Sequence, residues 1–76
     1  MDEAALETAI LAAHAAGDEA ALARHYGTAG ELRLAAGDVD AACFFHTQAY
    51  VFALSCGDMA AATASHSVLK AHGREN

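Results

Sequence analysis

Ala35-Ala36-Gly37-Asp38-Val39-Asp40-Ala41-Ala42 stands at the centre of the chain, and relatives of it stand twenty residues to either side. Upstream the run is Ala15-Ala16-Gly17-Asp18-Glu19-Ala20-Ala21. Downstream it is Ser55-Cys56-Gly57-Asp58-Met59-Ala60-Ala61. A fixed period in this range signals a stack of like structural units. The Gly-Asp pair has a physical meaning at a helix joint. Glycine just past a helix tolerates the left-handed conformation that closes it. Aspartate immediately after it accepts hydrogen bonds from the first free amides of the next helix. Acids also crowd the helix starts: Asp2 and Glu3, Asp18 and Glu19, Asp38 and Asp40, and Asp58. That is the favourable end of the helix dipole. The spacing predicts four helices, about 3–16, 18–36, 38–56 and 58–72, with a frayed tail at 73–76. The joints permit only antiparallel neighbours, so the unit is the αα-hairpin. The expected class is all-α: two hairpins in one domain spanning residues 1–76.

The rest of the composition bounds the function. Of the 76 residues, 55% are apolar, but 22 are alanine, which buries little area. A chain this short seldom draws more than about 3–5 kcal/mol from one core, so oligomerisation is the natural source of further stability. Ten acids against four bases give a net charge of −6. No basic stripe is present, so neither nucleic acid nor an anionic membrane surface is an expected partner. The acidic start, Met1-Asp2-Glu3-Ala4, lacks the basic region of a secretory signal. No apolar run reaches the roughly 18–20 residues of a membrane span. Cys43 and Cys56 fall on one predicted helix, about 20 Å apart at 1.5 Å per residue, too far to bridge. Free thiols and a cytoplasmic location are expected.

The predicted helices carry apolar stripes at three-four spacing. These are Leu6, Ile10 and Ala13; Leu22, Tyr26, Ala29 and Arg33; Val39, Ala42, Cys43, His46, Ala49, Tyr50 and Ala53; and Met59, Ala62, His66 and Leu69. The second helix has another strip, Ala20, Ala23, Gly27, Gly30 and Leu34, nearly bare of side chains. Glycine inside a helix costs about 1 kcal/mol relative to alanine. Two of them point to close packing under a bulky neighbour, such as the phenylalanines of the third helix, the alternative being a kink or break around Gly27–Gly30.

Laid out this way, the chain resembles the tetratricopeptide-like αα-hairpin repeats, best from Tyr26 to Phe52. Tyr26, Ala29, Gly30 and Gly37-Asp38 match the first helix and its turn. Ala42, His46, Ala49 and Phe52 match packing positions of the second helix. The forty-residue hairpin is longer than the usual 34, and His46 stands where an aromatic is expected. The resemblance implies a protein-binding scaffold and carries over no catalytic residue.

Two features remain as candidate sites. Ala41, Phe44, Phe45, Gln48, Val51, Phe52 and Ser55 form a second stripe on the third helix. A helix apolar on both sides is normally buried on both, which four helices can hardly achieve. Phe44, Phe45, Gln48, Val51 and Phe52 are therefore the expected interface with a second copy or another protein, a two-fold homodimer being the default; the competing reading is a twist of the hairpins by which the first and fourth helices cover this face. Tyr26, His46 and His66 each stand nine residues after a repeat glycine and share one level of the stack. With Cys43 one turn from His46, Cys43, His46 and His66 offer a sulfur and two imidazoles, donors that zinc or copper accepts. The competing reading is a structural polar layer, with His46 bonded to a hydroxyl such as that of Tyr26 or Thr63. His14, His25 and His72 read as solvated. No paired mid-core carboxylates, phosphate loop or nucleophile constellation is present, and Ser65-His66-Ser67 is adjacency in sequence only. The expectation is a non-catalytic interaction or assembly module with no cofactor. The alternative is a small metal- or ligand-binding protein built on the Cys/His layer and Tyr26.

Overall fold

All three joints close in the same way. Gly17, Gly37 and Gly57 have φ of 65°, 80° and 79°. The amide after each glycine returns to a carbonyl five residues earlier: Asp18 to Ala13, Asp38 to Arg33 and Asp58 to Ala53, each at 2.9 Å. The same aspartates then turn to the next helix. Their Oδ1 atoms accept from Ala21, Ala41 and Ala61 N–H at 3.0, 3.1 and 3.0 Å. One residue pair thus satisfies the end of one helix and the start of another.

The computed structural model describes residues 2–74. It contains α1 (Glu3–Ala16), α2 (Glu19–Ala35), α3 (Val39–Cys56) and α4 (Met59–Ala71). The later helices start one residue after the predicted boundary because Asp18, Asp38 and Asp58 are caps with ψ of 86°, 81° and 84°. No helix among the described residues is long and apolar enough to cross a membrane. Cys43 and Cys56 are both free thiols on α3.

The helices run up and down. Arg33 near the end of α2 pairs with Glu3 at the start of α1, at 2.7 Å. Arg74 after α4 pairs with Asp40 at the start of α3, at 2.7 Å. Arg74 also donates its backbone N–H to Leu69, so the chain is held one residue past Gly73. Glu75 and Asn76 lie outside the described residues. Each helix packs on the next, and α2 also meets α4, but no Cα of α1 comes within 8 Å of α3 or α4. The Cα trace measures 32 × 27 × 16 Å. This thin slab leaves every helix a side toward solvent.

Burial follows the expected stripes on the first three helices. Leu6 and Ala13, Leu22 and Ala29, and Ala42, Cys43, His46, Ala49 and Ala53 are buried. On α4 the core face is rotated from the expected one. Its buried row is Ala62, Ser65 and Leu69, and Met59 is 60% exposed. At 100° per residue, Ser65 lies on the same side as Ala62 and Leu69, whereas Met59 and His66 fall at its edge.

Candidate functional site

The five residues expected to form one interface on α3 divide into two rows. Phe45 and Phe52 are half-buried and turn inward. Both stack on Tyr26 of α2, with ring centroids 6.1 and 5.9 Å apart. Phe52 packs against both clusters of buried residues. His14 joins this group through Tyr26 Oη at 2.9 Å and an edge contact to Phe52 at 5.8 Å. Expected to be merely solvated, His14 is an exposed residue with a structural partner. The outer row is Phe44 and Val51, 59% and 52% exposed. They stand two turns apart on one face, with half-buried Gln48 between the rows. The expectation of three exposed phenylalanines is thus corrected to one, because Tyr26 covers the other two.

Beside the outer row is an open apolar cleft of about 460 Å³. Its walls are α1 (Leu6, Glu7, Ile10, Leu11) and Phe45 of α3, and its floor is Tyr26, Ala29 and Leu32 of α2. It exists because α1 and α3 both rest on α2 without closing on each other. Leu11 at its lip is 63% exposed. Phe44 stands next to Phe45 in an edge-on contact at 5.6 Å, so the knob and the cleft are neighbours.

The histidine layer comes apart in a different way. His46 is 3% exposed. Its Nδ1 is 3.0 Å from Ser65 Oγ of α4, and its ring lies directly on Gly30 of α2, where a Cβ would meet Cδ2 at 2.5 Å and Nε2 at 2.6 Å. The bulky neighbour over Gly30 is therefore this imidazole and not a phenylalanine. At Gly27 an added Cβ would meet nothing within 4 Å. His66 instead packs at a tilt on Tyr50, with ring centroids 5.5 Å apart. Because α4 presents Ser65 to His46, its neighbour His66 points about 100° away. Among the described residues no group of three or more His, Cys, Asp or Glu side chains is placed to hold a metal ion. Cys43, His46 and His66 thus share a level without converging, and Tyr26 belongs to the aromatic group on the α1 side. The hydroxyl partner of His46 is Ser65, neither Tyr26 nor Thr63.

Glu31 Oε1 lies 3.4 Å from His46 Nε2, a contact that makes no hydrogen bond. Burial holds the His46 pKa below its ordinary 6.5, partly opposed by the Glu31 charge. The sign follows from proton linkage. Below pH 6.5 the unfolded imidazole takes a proton that the folded one refuses, so stability falls with pH until folded His46 also titrates. An imidazole NMR titration is expected to find His46 titrating below its ordinary 6.5, while thermal stability declines below pH 6.5. A His46 that titrates at or above 6.5 would contradict the buried, desolvated site.

Comparison with known protein families, with curated proteins and with solved structures finds no match to this chain.

Proposed function

We propose that this chain is an assembly module: a tetratricopeptide-like pair of αα-hairpins that forms a two-fold homodimer through the outer edge of α3 and carries no catalysis of its own. The supporting observation is the uncovered row of Phe44 and Val51 beside the open α1–α3 cleft. Each copy offers both a projecting ring and a cleft lined by Ile10, Leu11 and Phe45. A two-fold axis lets Phe44 of each copy enter the cleft of the other, the self-complementary contact that closed dimers use. The twenty-residue clock and three identical joints support the repeat reading. Two hairpins alone fall short of the three or more units such stacks need, and a dimer brings the number to four. Free thiols at Cys43 and Cys56 suit a reducing cytoplasm.

The test is Phe44→Asp. Because the ring is mostly in water, the substitution is expected to leave helical content unchanged. It places a charge in the contact and is expected to halve the solution mass. A variant that stays dimeric with its fold intact would rule out this edge as the interface.

A further inference from the structure

A second cleft, of about 590 Å³, lies between α2 and α4 over His46. Apart from Leu32, its apolar wall is made of very small residues: Ala23 and Gly27 on one side, Ala61 and Ala64 on the other. Small residues alone make no site. His46, however, lines this cleft, its side chain is buried, and its Nε2 makes no hydrogen bond. A buried polar atom without a partner is uncommon and costly.

The surrounding network assigns its proton. Thr8, Thr28, Thr47 and Ser67 turn their hydroxyls back onto their own helices, whereas Ser65 Oγ faces His46 Nδ1. With a carboxylate 3.4 Å from Nε2, the favoured tautomer has the proton on Nε2 and an O–H from Ser65 donating to Nδ1. Where His46 meets Glu31 the cleft therefore presents one donor, Nε2–H, beside one acceptor, the carboxylate, while Arg24, Thr28 and Ser65 line it elsewhere. A hydroxyl group satisfies both, accepting from the imidazole and donating to the carboxylate. A ligand carboxylate placed at Nε2 would be repelled by Glu31. An ammonium has no lone pair for Nε2–H, and a ketone or ether has no proton for Glu31.

We propose that the α2–α4 cleft is a binding site for a small alcohol with a flat apolar body, its hydroxyl held between His46 Nε2 and Glu31. The apolar body lies against Gly27, Ala61 and Ala64. Nε2 is screened by Gly30 and the Glu31 carboxylate, so access requires Glu31 to swing outward. Its side chain is 62% exposed, so little packing opposes that movement. This inference goes beyond the assembly role and is independent of it, since neither Phe44 nor Val51 lines the cleft.

The experiment is an NMR titration of the full chain with benzyl alcohol, following His46 Nε2 and the Gly27 and Ala64 amides. Saturable shifts with a millimolar dissociation constant are expected for so small a ligand. Benzyl methyl ether, which cannot donate to Glu31, is expected to bind about tenfold more weakly, and Glu31→Ala to weaken the alcohol by a similar factor. Ala64→Leu, at an exposed position of the wall, is expected to keep the fold and abolish binding. No saturable shift at His46, equal affinity for alcohol and ether, or undiminished binding by Ala64→Leu would each overturn the proposal.

Discussion

Gly30→Ala is expected to destabilise the protein strongly, although alanine is the better helix former. The new methyl group would meet the His46 ring at 2.5–3.0 Å, closer than carbon atoms pack. The ring is buried between three helices and bonded to Ser65, so it cannot yield without losing that bond. Overpacking of this kind costs about 1–3 kcal/mol and a broken buried hydrogen bond about 1–3 more. Against this stands about 1 kcal/mol of helix propensity. The net loss is about 1–5 kcal/mol, and its midpoint near 3 kcal/mol corresponds to a drop in Tm of about 10 °C or more for a domain of this size. Gly27→Ala is the internal control. Its methyl group meets nothing within 4 Å, and its φ is not left-handed, so only propensity acts and Tm is expected to rise. Thermal melts of the two variants decide the matter. Equal effects would mean that His46 does not rest on Gly30.

Phe52→Ala is expected to cost about 3 kcal/mol, at the low end for a phenylalanine because the side chain is half-buried. Phe52 lies nearly parallel to Tyr26, at 3° and 5.9 Å, and meets the edge of His14. It also touches both groups of buried residues, which apart from Leu22 are alanines too small to fill the space between helices. A loss of this size approaches the whole stability of so short a chain, about 3–5 kcal/mol. The variant is expected to be largely unfolded at 37 °C by circular dichroism. A Phe52→Ala protein as stable as the parent would contradict the inward row.

The contrast between Phe44 and Phe52 marks what the sequence could and could not tell. The Gly-Asp clock sets the four helices to within a residue, since each joint is a local event determined by two adjacent side chains. Mirror positions about a joint are also legible. Gly30 is seven residues before Gly37, and His46 is eight after Asp38, so their meeting could have been anticipated. Glu3 and Arg33 stand in the same relation about Gly17-Asp18. Helix phase was harder to read. On α4, alanines surround the helix and give little contrast, so the stripe through Met59 and His66 could not be told from the buried row through Ser65. That shift of about 50° puts Ser65 against His46, turns His66 away and dissolves the metal-like set. On α3, both faces are apolar, and only the position of Tyr26 decides which phenylalanines are covered. His14 with Tyr26 and His46 with Ser65 are offset by about a turn from mirror symmetry, so their pairing depends on the tilt of packed helices.

Assembly through α3 is the central claim, and solution molar mass tests it most directly. Light scattering on the eluting wild-type protein is expected to give about twice 7.8 kDa at micromolar concentration. The dimer should tighten as salt screens the −6 charge on each copy. A stable, folded monomer at every concentration and salt tested would contradict it.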